Sequence, residues 1–254
     1  MSAAAALAAL LSFSAPPAPV PSPSALSVSP ARVALAGIAS RAVRVTNTGS
    51  VATTVEVSSA PLALDRQGRA RPAGAARAGG SGWLVVHPRE LRLPAGAGGT
   101  LTVASRLRGR VAPGDRFTLV LLTTRPHREG RVVVALRVGV VVGLRVPGRI
   151  VHRLQVAGLR SRRTRRGCAL RLLVSNRGNV SEVVRRGQVD VSLLRHGRVF
   201  ARLRLPAREI FPRTTAVATV LYGGPVRGRV TAVVRLRRAG TAGTVSRRSF
   251  RLRL

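Results

Sequence analysis

The residues that could do chemistry in this chain are few and scattered. The eight acids, Glu56, Asp65, Glu90, Asp115, Glu129, Glu182, Asp190 and Glu209, stand one at a time. No two share a spacing by which local structure would set a pair of carboxylates together for general acid–base work. The four histidines, His87, His127, His152 and His196, follow no HExxH or other ligand spacing, so no metal site is expected. His127 and Glu129 fall in a turn-like loop, and no active-site role is expected of them. Cys168 is alone, so no intrachain disulfide forms, and a reactive thiol would need a base that the sequence does not place beside it. It reads as a small buried hydrophobe or a free thiol. Gly79-Gly80-Ser81-Gly82-Trp83 resembles a nucleophile elbow only loosely, because its last position is Trp and no strand precedes the Ser. Asn179-Val180-Ser181 matches a glycosylation acceptor, a three-residue pattern that arises by chance. The expectation is a protein without catalytic residues and without a cofactor.

Charge is the stronger signal. There are 44 basic residues, all of them Arg, against 8 acidic ones, for a net charge of +36. Such an excess points to a polyanionic partner: nucleic acid, lipid headgroups or an anionic cell-wall polymer. The competing explanation is amino-acid usage biased toward Arg, Ala, Gly, Val and Pro, with the Arg spread over solvated strand faces. Two groups are the candidate polyanion-binding residues: Arg160, Arg162, Arg163, Arg165 and Arg166 in a basic loop, and Arg198, Arg202 and Arg204 on one face of an alternating run. Aromatics make up only 3%, too few to interleave with Arg for base stacking, so nucleic acid is not the expected polymer. Trp83 is the only Trp; it is either a core or edge anchor or an exposed ring for stacking on sugar.

Elements of one kind must carry these residues. In Val43-Arg44-Val45-Thr46-Asn47-Thr48-Gly49-Ser50-Val51 the valines alternate with polar neighbours, the period of a strand with one buried face, and Asn47 and Gly49 supply a turn. The pattern returns at Leu173-Val174-Ser175-Asn176-Arg177-Gly178-Asn179-Val180, an offset of 129 residues (176 − 47), which suggests two copies of one β domain. Around these lie short Val-rich runs broken by Gly and Pro. Val28 to Leu35 alternates around Pro30, so it belongs at an edge or a bulge. Thr100 to Leu107 puts Leu101, Val103, Ser105 and Leu107 on one face. Phe117 to Thr123 and Val132 to Val146 follow; the apolar run Val138 to Leu144 is far short of the roughly 20 residues that cross a bilayer and reads as a buried strand. Asp65 to Gly82 has no apolar period and is expected to be a long exposed loop.

Val146-Pro147-Gly148 is the expected boundary. Beyond it, Val189 to Leu194 should form a hairpin with Arg198 to Leu205 across His196-Gly197, and Thr215 to Tyr222 should pair with Arg229 to Leu236 around Gly223-Gly224-Pro225. The chain closes on Phe250-Arg251-Leu252-Arg253-Leu254, again alternating. The fold class is therefore all-β: two tandem immunoglobulin-like β-sandwich domains, 26–146 and 147–254, after an N-terminal segment 1–25. That segment has an Ala/Leu run at Ala3 to Leu11 and a Pro/Ser/Ala stretch, the apolar core and small-residue region of a secretory signal, which predicts a secreted or cell-wall-associated protein.

Taken in order, Ser29-Pro30, Val43 to Gly49, Trp83-Leu84-Val85-Val86-His87-Pro88 and Ala112-Pro113-Gly114-Asp115-Arg116-Phe117 carry a resemblance. Residues 26–146 resemble the N-terminal domain of Gram-positive (actinobacterial) WxL-interacting cell-surface proteins, which in turn look like the pilus-chaperone immunoglobulin fold. The resemblance implies an extracytoplasmic, non-enzymatic protein whose first domain associates with peptidoglycan and whose second binds another surface protein. Two functions follow as expectations. One is a wall-associated scaffold contacting peptidoglycan or a teichoic-type polyanion; the alternative is a chaperone-like protein acting by β-strand complementation.

Overall fold

The computed structural model describes residues 25–64, 70–74, 77–78, 80–129, 131–237 and 244–254. Apart from Ala25, the signal-like segment 1–25 lies outside them. Among the described residues, all regular structure is strand. Two tandem immunoglobulin-like sandwiches result, and their buried residues form two large clusters, one drawn from Val33 to Val146 and one from Val156 to Leu254.

In the first sandwich, one sheet runs in the order Leu26–Ser29, Ser40–Asn47, Gly98–Ser105, Leu84–His87, Gly80–Ser81. The facing sheet runs Arg32–Ala36, Arg137–Val146, Gly114–Thr124, Thr53–Leu64, Ala70–Pro72, with Arg77–Ala78 and Glu90–Leu93 also paired to Thr53–Leu64. Alternation builds the core between them. Val43, Val45, Leu101 and Val103 come from one sheet and Val55, Leu122, Val142 and Leu144 from the other, all at most 1% exposed. The stretch around Pro30 divides into two strands of different sheets: Leu26–Ser29 pairs antiparallel with Ser40–Asn47, and Arg32–Ala36 pairs parallel with Arg137–Val146. Both are edge strands, where Pro, lacking an N–H, is tolerated.

In the second sandwich, a sheet ordered Leu154–Thr164, Gly167–Asn176, Thr215–Tyr222 faces one ordered Arg198–Arg204, Val189–Arg195, Arg229–Arg237, Thr244–Arg253. A short pair, Glu182–Val184 with Arg208–Ile210, lies between. The hairpin across His196-Gly197 forms as expected. Three other expectations are corrected. Thr215–Tyr222 and Arg229–Arg237 do not pair; the chain crosses between sheets at Gly223-Gly224-Pro225, the first strand joining Gly167–Asn176 and the second joining Val189–Arg195. The basic loop at Arg160 to Arg166 is strand as far as Thr164, closed by a tight turn at Arg165-Arg166. Within Asp65 to Gly82, residues 70–72, 77–78 and 80–81 pair as short strands, and 65–69, 75–76 and 79 lie outside the described residues.

The two Asn-x-Gly turns close the two sandwiches in the same way. Asn47 is 1% exposed; its Oδ1 accepts from the Gly49 N–H at 3.0 Å and its Nδ2 donates to the carbonyls of Val51, Leu93 and Pro94 at 2.8, 3.1 and 3.1 Å. Asn176, also 1% exposed, accepts from Gly178 N–H at 2.9 Å and donates to Val180 and Ile210 carbonyls at 2.7 and 3.0 Å. Each buried carbonyl left without its donor costs about 1–3 kcal/mol. Asn47→Ala is therefore expected to lower the stability of the first sandwich by roughly 3 kcal/mol, read as a shift of its urea midpoint. Asn47→Asp should cost at least as much, since it turns an acceptor toward three carbonyls; an unshifted midpoint for either would refute this role.

Candidate functional site

The sandwiches meet at a junction built from named groups. Asp115, its side chain 7% exposed, begins the strand Gly114–Thr124 and binds Arg145 through two hydrogen bonds; its Oδ2 also accepts from the Ser181 N–H of the second sandwich at 2.7 Å. Arg32 pairs with Glu209 across the junction, one of its two hydrogen bonds being Nη2 to Oε1 at 2.7 Å. The Phe117 and Phe211 rings stack with centroids 4.1 Å apart and planes within 6°. Asn179 fastens the connection: its Nδ2 donates to Pro113 and Arg149 carbonyls and its Oδ1 accepts from Val151 N–H at 2.7 Å. The side-chain amide that a glycosylation acceptor must offer is thus occupied, and the Asn179-Val180-Ser181 match reads as structural. Gly114 has φ of +118°, and a Cβ there would come within 2.2 Å of the Asn179 carbonyl oxygen. A cleft of about 260 Å³ lies here, lined by Arg116, Phe117, Phe211 and Arg213 among others.

At the other end of the first sandwich, Gly114–Thr124 and Arg137–Val146 extend into a hairpin arm, His127–Glu129 paired with Val132–Val134. Its base is fixed by Thr124, whose N–H donates to the Leu136 carbonyl and whose Oγ1 accepts from the Leu136 N–H at 2.9 Å. Arg125 holds Glu56 and Glu90 beside it, at 3.3 and 2.8 Å. Arg32–Ala36 covers only positions 141–145 of the outer edge of Arg137–Val146. From Val132 to Val140 that edge has no strand partner among the described residues. Alternate positions along it, Val132, Val134, Leu136, Val138 and Val140, are all apolar, and they grade from 61% exposed at Val132 to 1% at Val140. Val133 is 62% exposed. Sequence reading placed a strand over Val132 to Val146 but could not tell that half of one edge would be left open, since that depends on where Arg32–Ala36 docks.

The candidate polyanion residues do not converge. Arg160, Arg162 and Arg163 are exposed on Leu154–Thr164, with Arg165 and Arg166 in the turn after it. Arg198, Arg202 and Arg204 are exposed on Arg198–Arg204. Leu154–Thr164 packs beside Thr244–Arg253, whereas Arg198–Arg204 packs beside Thr215–Tyr222, so the two groups lie on opposite margins of the second sandwich. What the structure brings together instead is Arg195, Arg229, Arg251 and Arg253, around a cleft of about 700 Å³ at one end of the four-stranded sheet. These come from three strands, and only the alternation of Phe250 to Leu254 hinted at them.

The other candidates resolve simply. Trp83 is half-buried and packs against the first core. Cys168 is 2% exposed in the second core. His152 Nδ1 lies 2.7 Å from Glu182, and Asp190 pairs with Arg237 at 2.9 Å. No group of three His, Cys, Asp or Glu among the described residues could hold a metal. No helix among them is long and apolar enough to cross a membrane.

No protein-family model and no curated sequence matches the chain. Solved structures do match its fold. The class 5 fimbriae chaperone CfaA is similar over 90% of this chain and 99% of its own, at 14% identity and a TM-score of 0.50. A chaperone–tip adhesin complex of CFA/I fimbriae biogenesis gives 14% identity, coverage of 90% and 98%, and 0.50. The fold is therefore that of a two-domain, pilus-chaperone-like immunoglobulin protein.

The junction has a pH signature. Hydrogen bonding to Arg32 holds the Glu209 carboxyl below its ordinary value of 4.5, outweighing the opposing effect of burial. A carboxylate with a lowered folded pKa contributes stability that is complete above the unfolded value and is lost as pH falls through the folded one. The difference in urea midpoint between wild type and Glu209→Gln should thus be largest at neutral pH and shrink on acidification below about 4.5. A difference independent of pH would show that the pair adds nothing.

Proposed function

We propose that this protein is an extracytoplasmic, non-enzymatic binding protein of chaperone type that takes up an extended segment of a partner protein along residues 132–140. The observation that carries the reading is the open edge there, with its row of alternating apolar side chains running out of the core. An added strand gains main-chain hydrogen bonds from such an edge, and its alternate side chains sit between those of the row. Natural sandwiches blunt long apolar edges, so an open one is a functional feature or a liability. The fold of the fimbrial chaperones supports the same reading at the level of architecture. We take 26–146 and 147–254 as the two domains, with 1–25 as an export segment.

The test is amide hydrogen exchange in the presence of peptides of about ten residues alternating Val and Ser, long enough to line this edge. Protection should appear between Val132 and Val140 and vanish in the double variant Val132→Asp, Val134→Asp, which alters only exposed or half-buried positions. Protection elsewhere, or none, would overturn the reading.

A second reading, a wall-associated scaffold of the WxL-interacting kind bound to peptidoglycan and to a surface protein, draws on the exposed Arg of the second sandwich. It predicts co-sedimentation with isolated cell walls at low salt, and fails if the protein stays in the supernatant.

A further inference from the structure

We infer that the cleft formed by Arg195, Arg229, Arg251 and Arg253 binds a linear polymer bearing repeated phosphate groups. The inference does not depend on strand uptake at residues 132–140, which hydrogen exchange reads separately.

The geometry begins with the register. Arg229 lies directly opposite Arg253 in the antiparallel pair of Arg229–Arg237 with Thr244–Arg253, and Thr231 lies opposite Arg251. Val230, Ala232 and Val234 point into the core, so Arg229 and Thr231 face outward, and Arg251 and Arg253 with them. Directly opposed Cα atoms are about 4.5–5.5 Å apart, and positions two apart along a strand about 7 Å. Like charges so placed destabilise a sheet. Arg195 completes the set from the end of Val189–Arg195, next to Leu194, which lies opposite Thr231.

No side-chain carboxylate in a described ion pair offsets this charge. The carboxylates of Glu56 and Glu90 are held by Arg125, and those of Asp115, Glu182, Asp190 and Glu209 by Arg145, His152, Arg237 and Arg32. No described carboxylate pairs with any of the four Arg of the cleft. Four guanidinium groups within one cleft exceed what a single monovalent anion can neutralise, and the planar guanidinium fork matches phosphate oxygens two at a time.

The remaining lining identifies the polymer. Beside the arginines the cleft is lined by Leu194, His196, Val230, Thr231 and Leu252; the His196 imidazole is the one ring among them, so a run of bases would lack successive stacking partners, which disfavours nucleic acid. The site is a cleft walled by strands and a hairpin turn, which admits a chain more readily than a bilayer surface. The same outward face continues to Arg235 and Arg247, again directly opposed, with Asp190 across from Arg235 and held by Arg237, so a polymer leaving the cleft along the sheet would meet further cations beside that one carboxylate.

The probe is long-chain inorganic polyphosphate, titrated against the full chain over a salt series. Arg229→Ser with Arg253→Ser should weaken binding about tenfold or more and flatten the slope of log affinity against log salt by about 2. A control of equal charge, Arg108→Ser with Arg110→Ser in the first sandwich, should change affinity about twofold at most. The cleft variant should also melt no lower than wild type at low salt, because it relieves an opposed pair of like charges. Equal losses in both variants would reduce the effect to net charge and overturn the inference. So would tighter binding, per phosphate, to single-stranded DNA or to vesicles of phosphatidylglycerol and phosphatidylcholine in about equal amounts, which would assign the face to nucleic acid or to a membrane.

Discussion

Each sandwich depends on one buried asparagine that ties separate strand systems together. Asn47 ends a strand of one sheet, while the Leu93 and Pro94 carbonyls it binds end a strand of the facing sheet. Asn176 does the same between Gly167–Asn176 and the short strand Arg208–Ile210. A dispersive core of Val and Leu fixes the distance between sheets but little about their sliding, since one methyl-rich surface packs on another in many registers. A fully satisfied amide allows one arrangement, because any slip strands several carbonyls away from water. With the strand ends fixed, the hairpin arm and the junction acquire defined positions at opposite ends of the first sandwich.

The junction applies the same logic with charges. Asp115 is nearly buried and could not sit there unpaired; Arg145 and the Ser181 N–H together make its burial affordable. Because one of these partners belongs to the first sandwich and the other to the second, desolvating the carboxylate couples the two. Asn179 and the stacked Phe117 and Phe211 add directional and dispersive contacts on the same seam. Six different groups thus meet where the linker passes.

Local pattern and long-range pairing were unequally legible in the sequence. Alternation at Val43 to Thr46, at Thr100 to Ser105 and at Val189 to Arg195 announced strands and their buried faces, because burial on one face imposes a period of two on the chain itself. The repeated Asn-x-Gly announced two domains for a similar reason: the turn needs that amide. Partner choice has no such local cause. Gly223-Gly224-Pro225 suits a hairpin and suits a crossing between sheets, and what decides is that Cys168 to Ser175 offers Thr215 to Tyr222 an edge. The Arg of the cleft were missed on the same ground, since cross-strand register is set by the whole sheet. Arg160 to Arg166 read as loop because the bulge between Val156 and Gly158 sets the buried Val156 and Leu159 three residues apart and so breaks the period of two, and only polar or charged side chains follow them.

On the strand-uptake reading, the open apolar edge and the net charge of +36 would act together. An edge such as Val132 to Val140 would ordinarily pair with its counterpart on a second copy. Arg131 and Arg137 flank the exposed valines, and the many other uncompensated arginines repel any approaching copy of the same chain. That repulsion acts between like molecules and is absent, or reversed, for a neutral or acidic partner. If the arm takes up a strand as proposed, the Arg excess would discriminate: it would disfavour pairing of the edge with a second copy while leaving it accessible to a foreign strand. Salt weakens this discrimination by screening, because the charges concerned are exposed and the Debye length shortens as ionic strength rises, to about 8 Å under physiological conditions. Self-association through the arm and the proposed uptake of a partner strand would therefore draw on the same main-chain groups and differ in their electrostatics.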